Sequence, residues 1–163
     1  MEEAIINEIN KQYIKAVECY EYEIENHKSI ISPDSFINLA FLYWCFAFEL
    51  FEFVIPNDIS EYWSNKGGNR FLKILDFGLE RFPNNLELHF WKKYFLYIAY
   101  GKEFTENDCM NLIEKYNKEA SAVPYFFLYQ FDKIKYKKER DDLMNELEAL
   151  PTAKNLYIKS LVV

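Results

Sequence analysis

Few side chains in this sequence have the type and spacing to do chemistry. Glu49 and Glu52 stand about one helical turn apart, where paired carboxylates can exchange protons, but no recognisable substrate site accompanies them. The chain has two histidines, His27 and His89, and neither lies in a His-Glu-x-x-His or follows a glutamate by three residues. The zincin and di-iron patterns therefore fail. His27, in "ENHKS", reads as a cation at a helix C-terminus, and His89, near Trp91, as a packed or exposed side chain. Cys19, Cys45 and Cys109 are odd in number, widely spaced and free of any Cys-x-x-Cys, so neither a disulfide framework nor a zinc site is expected. Gly-x-Ser-x-Gly and Gly-x-Gly-x-x-Gly are both absent.

Two further stretches resemble binding motifs and fall short of them. In "SNKGGNR" a Gly-Gly pair sits beside Lys66 and Arg70, but the Walker spacing and a preceding strand are missing. The stretch reads as a plain link between helices. In "KIKYKKER", residues 133–140, lysines alternate with Tyr136 in the manner of nucleic-acid binders, without a recognition motif. It reads as a solvated helix–helix junction, and the acidic "ERDD", residues 139–142, that overlaps its end as an exposed helix face. No catalytic residue, metal or cofactor is expected, and the chain is not expected to be an enzyme.

The elements that must position any binding surface are helical. Half of the 163 residues are apolar and 28% are charged, the balance of a globular chain, with only four glycines and five prolines. The prolines at 33, 56, 83, 124 and 151 punctuate the sequence, and capping residues cluster near them. Ser32, Asp58 with Glu61, Asn84 with Glu87, Thr105 with Asp108, and Thr152 read as helix starts. Helices are predicted over 2–27, 34–54, 58–64, 69–82, 86–100, 106–119, 123–134, 136–149 and 152–161. No sustained two-residue alternation is present. The expected fold is a single all-α domain over 1–163, built of irregular antiparallel helical hairpins.

The stretch "FLYWCFAFELFEF", residues 41–53, is long and greasy enough with its flanks to suggest a membrane span. Two carboxylates within it, each costing about 2.5–3.5 kcal/mol at mid-bilayer, and the lack of any Lys or Arg between Lys28 and Lys66 argue against one. Asn38, Leu42, Cys45, Glu49 and Glu52 recur at 4-3-4-3 spacing, one thin stripe on an otherwise apolar helix. That is the pattern of a central bundle helix whose stripe lines a groove or faces water. In "LELHFWKKYFLYIAYG", Leu88, Trp91, Phe95 and Ile98 form one apolar face.

Charge is the strongest functional signal. The net charge is −7, and the segment through Glu61 carries twelve carboxylates against three lysines. Such a surface repels nucleic acid and attracts basic partners. The start, "MEEAIINEIN", has no basic region ahead of an apolar one, so a cytoplasmic protein is expected.

Residues 11–149 loosely resemble tetratricopeptide helix pairs. Ala16 and Tyr20 take the small and aromatic positions of a second helix, and Leu39, Ala40 and Tyr43 the corresponding positions of the next first helix. Gly78 stands where a small residue is usual, Pro83 closes that helix, and Gly101 marks a turn. Proline gaps of 23, 27, 41 and 27 make the period irregular, so a compact helical bundle is the alternative. In size, acidity and lack of motifs the chain also resembles bacterial immunity proteins that neutralise a cognate toxin, including those of contact-dependent growth inhibition. That resemblance implies one folded partner, a basic toxin domain such as a nuclease, with no nucleic acid and no membrane involved. Glu21, Tyr22, Glu25, Glu49, Glu52, Asp58, Glu61, Tyr62 and Trp63 are the candidate contact residues. A peptide-binding tetratricopeptide-like scaffold or regulator is the alternative function.

Overall fold

The computed structural model describes residues 1–26, 30–116 and 121–163. The described residues form nine α-helices and one π-helical turn, with no strand among them. The chain is all-α, as its composition and punctuation imply. It divides into two compact units, 1–82 and 83–163.

Unit 1 contains α1 (Glu2–Ile9), α2 (Tyr13–Asn26), α3 (Pro33–Phe48), the π-turn (Leu50–Val54) and α4 (Glu61–Arg81). The predicted helix over 2–27 is two helices. Between them Lys11 adopts a left-handed backbone, φ 57°, which folds α1 back on α2. No Gly or Pro marks that break, because the turn is closed by backbone bonds from the Lys11 and Gln12 amides to the carbonyls of Glu8 and Asn7.

The greasy stretch is the core. Pro33 occupies the first turn of α3, and the Ser32 hydroxyl accepts from the Asp34 amide, so the start follows the ordinary proline-and-cap chemistry. From Ser35 to Phe46 every residue of α3 is buried. The thin stripe is therefore split: its first three residues are buried, and only Glu49, half-buried, and Glu52, exposed, reach water. Asn38, Leu42 and Cys45 are buried, and Asn38 Nδ2 donates to Tyr20 Oη of α2 at 3.1 Å. Among the described residues no helix is long and apolar enough to cross a membrane.

The predicted helix over 34–54 ends early, at Phe48. Bonding then widens to five residues: the Val54 amide donates to Glu49 O at 2.9 Å and the Ile55 amide to Leu50 O at 3.0 Å. The expected link at "SNKGGNR" is also corrected. Helices predicted over 58–64 and 69–82 are one helix, α4, and the glycines lie inside it. Contacts Phe46–Trp63, Tyr43–Gly67 and Phe36–Phe82 run in opposite sequence directions, so α3 and α4 pack antiparallel. Gly67 is the point of closest approach: a Cβ there would sit 2.3 Å from the Tyr43 carbonyl oxygen. Gly67 serves this packing, and neither glycine makes a turn.

Unit 2 contains α5 (Leu86–Tyr100), α6 (Glu106–Lys115), α7 (Tyr125–Phe131), α8 (Lys137–Ala149) and α9 (Ala153–Val162). Its starts are capped largely as the sequence suggests. The Thr105 hydroxyl and Asp108 carboxylate form a reciprocal capping box, and Thr152 caps α9. The cap of α5 is Asn85 rather than Asn84, its side chain accepting from Leu88 N at 3.0 Å. Gly101 ends α5 in the left-handed conformation, φ 64°, as a turn glycine should. Leu88, Trp91 and Phe95 are fully buried, whereas Ile98 is half-buried. The core is aromatic: Phe90, Trp91, Tyr94, Phe104, Phe126 and Phe127 meet ring to ring, and Phe104 stacks on Phe127 at 4.6 Å. α7 touches α6, α8 and α9 and so holds the unit together.

Candidate functional site

The acidic charge separates cleanly between the units. Residues 1–82 hold fourteen carboxylates against seven Lys and Arg, a net −7, while residues 83–163 hold twelve of each. The basic stretch 133–140 lies in unit 2, and much of its charge is paired there. Lys135 Nζ donates to Glu106 at 2.8 Å, Lys137 to Asp141 at 2.6 Å, and the Arg140 guanidinium to Val162 O at the end of α9. The Lys135 and Tyr136 hydrogen bonds hold the Glu106 carboxyl below its usual range.

The nine candidate contact residues all lie in unit 1, and they divide into two groups. Glu21 and Trp63 do structural duty. Glu21, half-buried on α2, accepts a hydrogen bond from Tyr43 Oη of α3 and pairs with Lys66 of α4 at 2.6 Å. Arg70 lies 3.8 Å from the same oxygen, so Glu21 ties three helices together. Burial first, then the bond to Glu21, raises the Tyr43 phenol well above its usual value. Trp63 packs edge-on against Phe46 and carries Lys66 over its ring at 4.7 Å. Neither residue offers much free surface.

The other seven sit differently. Tyr22 and Glu25 are exposed on α2, and Tyr22 lines an open groove between α1 and α2 with Glu2, Glu3, Glu18 and Glu23. Glu52, Asp58, Glu61 and Tyr62 are exposed, Tyr62 at 66%. Glu49 is half-buried at the end of α3, and burial, with Glu52 nearby, raises its carboxyl above the usual range. Asp58 holds a left-handed backbone, φ 51°, in the turn that leads to α4. The expected cap there shifts: Ser60, not Asp58, precedes the helix.

Compared with family models, curated proteins and solved structures, the chain matches none. Its own geometry must carry the functional reading.

The apolar residues between these carboxylates were not picked out from the sequence. Phe48, Leu50, Phe51 and Ile55 are exposed, Phe51 at 78% and Ile55 at 60%. In the sequence they continue the core run without a change in composition. The switch to five-residue bonding after Phe48 turns Leu50, Phe51 and Ile55 outward, and no residue type announces that switch. Phe53, in the same turn, points inward against Tyr13 at 4.4 Å and Phe46 at 5.9 Å.

The cysteines and His89 have ordinary surroundings. Cys45 and Cys109 are buried, and burial raises both thiols, Cys109 to about 12. Thiols in this condition are poor nucleophiles. His89 stacks on Tyr116 at 4.2 Å, with Nε2 2.7 Å from Pro83 O. His27 lies outside the described residues. A buried polar group unforeseen from the sequence is Glu8, 2% exposed, which accepts from Tyr20 Oη at 2.7 Å. With Asn38 it forms a chain across α1, α2 and α3. These bonds fix helix register.

Proposed function

We propose that this protein binds one folded, basic protein through the acidic face of unit 1, and that it acts as an immunity protein against a toxin domain of that charge. The observation that carries the reading is the join of charge and apolar surface. All of the net −7 belongs to unit 1, and its exposed carboxylates at 52, 58 and 61 lie in one stretch with exposed Phe51, Ile55 and Tyr62. Carboxylates set orientation and speed encounter with a cationic surface, by 10-fold or more at low salt. Aromatic and branched side chains supply the anchoring that charge alone does not. A toxin that cuts nucleic acid needs a basic cleft, and an acidic surface that occupies it blocks substrate by occlusion. No chemistry on this protein's part is required.

The test is growth. The C-terminal domain encoded immediately upstream is expressed in a bacterial host alone and with this protein. The reading expects killing by the domain and recovery on co-expression. It also expects that Glu49→Lys with Glu52→Lys, which moves unit 1 from −7 to −3, weakens protection. A domain that is toxic with and without this protein overturns the assignment, and so does protection unchanged by the double reversal.

A further inference from the structure

We propose that the π-helical turn is the apolar anchor of that face: Leu50, Phe51 and Ile55 seat in an apolar hollow on a protein surface whose rim is rich in lysine and arginine. The inference rests on the reading above and adds the chemistry of the contact. Three features carry it. The Leu50–Ile55 backbone bond, 3.0 Å, places those two residues one wide turn apart, and Phe51 follows Leu50 on the outward side while Phe53 turns in. Leu50 is 52% exposed, and with Phe51 and Ile55 it forms a run of large apolar side chains left in water. Such a run is unfavourable for an isolated fold and is typical of an interaction site.

Charge selects the occupant. Glu49 and Glu52 belong to the same stretch and Asp58 and Glu61 follow it, four carboxylates against the two lysines, Lys11 and Lys15, that line an opening with Asn57 and Ile59. An anionic bilayer and a nucleic-acid backbone are both repelled by this surround. A second copy of the chain would bring the same carboxylates against themselves. A cationic protein surface with an apolar centre satisfies both halves of the patch.

The experiment uses the full chain and two synthetic peptides of equal positive charge, one of lysine and leucine, the other of lysine and serine. Binding is read by fluorescence anisotropy at low and high salt. The leucine peptide is expected to bind about tenfold tighter or more than the serine peptide, since each apolar side chain buried is worth roughly a factor of ten. Phe51→Ser with Ile55→Ser is expected to erase that preference and leave the serine peptide's affinity unchanged. Glu49→Gln with Glu52→Gln is expected to weaken both peptides. Equal affinity for the two peptides overturns the proposal, as does a preference that survives the serine variant. Loss of helical circular dichroism in Phe51→Ser alone also overturns it, because the side chain would then be structural. Sedimentation of the native chain adds one more outcome: a dimer that the serine variant dissolves assigns the patch to a second copy instead. The two readings fail separately. Growth protection that survives the serine variant but not the Glu49 and Glu52 reversal removes the anchor and keeps the acidic face. A leucine preference in a chain that protects against no toxin keeps the anchor and removes the immunity role.

Discussion

Replacing Gly67 by alanine should separate α3 from α4, while the same change one residue on, at Gly68, should strengthen the protein. At position 67 the new Cβ would lie 2.3 Å from the Tyr43 carbonyl oxygen and 3.2 Å from Phe46 Cβ. The obstacle is main chain, which cannot rotate aside, so the helices must part by roughly 1 Å to restore ordinary contact. Overpacking costs about 1–3 kcal/mol, and an obstacle of main chain only 2.3 Å away puts this site in the upper part of that range, at about 2–3 kcal/mol. Alanine recovers about 1 kcal/mol of helix propensity, which leaves a net loss of about 1–2 kcal/mol. At position 68 the new Cβ meets only Ala47 Cβ, at 3.5 Å, an ordinary contact. There the propensity gain stands alone, about 0.5–1 kcal/mol of added stability. Urea unfolding of the full chain, followed by tryptophan emission, measures both, since Trp44 and Trp63 lie in unit 1 and Trp91 in unit 2. With a slope of about 2 kcal/mol per molar urea, the midpoint should fall by roughly 0.5–1 M for Gly67→Ala and rise slightly for Gly68→Ala. If Gly67→Ala is as stable as the native chain, or the two variants move together, the close α3–α4 approach is not what holds the glycine in place.

Other interactions yield equally definite expectations. Tyr20→Phe removes the hydroxyl that bonds both Glu8 and Asn38 and takes the buried Asn38 amide's acceptor away, so it should cost about 1–3 kcal/mol in a denaturant midpoint series. Lys66→Met should cost about 1–3 kcal/mol by breaking the half-buried pair with Glu21, and a double-mutant cycle with Tyr43→Phe should show coupling through the shared carboxylate. The Glu49 carboxyl is raised in the folded chain, so the folded state binds its proton more readily than the unfolded state does. Its contribution therefore destabilises above that raised value and disappears as pH falls through it toward the unfolded value. Glu49→Gln should be the more stable protein at neutral pH, with the difference closing on acidification in thermal melts at stepped pH. Thr105→Ala should cost about 1 kcal/mol through loss of the α6 cap, read as faster amide exchange in the first turn of that helix.

Local chemistry made much of the helical pattern legible, and tertiary contacts hid the rest. The all-α character and the starts at Ser32, Thr105 and Thr152 follow from caps and prolines whose effects are confined to one turn. The break at Lys11 could not be read, because an ordinary residue adopts the left-handed conformation and only the return of α1 onto α2 accounts for it. Gly67 was misleading for the converse reason. Glycine reads as a turn unless the neighbouring helix that needs its missing side chain is known. Asn38 looked like part of a water-facing stripe because its partner, Tyr20, lies eighteen residues earlier. For the candidate site, the carboxylates announced themselves by number. Glu21 gave no sign that it would be taken up by Lys66 and Tyr43, and Phe51 and Ile55 no sign that they would leave the core.

Hydrogen–deuterium exchange of the full chain, alone and mixed with the purified C-terminal domain encoded upstream, tests the central claim most directly. Slowed exchange concentrated in residues 48–62, with unit 2 unchanged, is the result predicted by an acidic face anchored on the π-turn. Slowed exchange confined to residues 83–163, or no change anywhere under saturating partner, would contradict it.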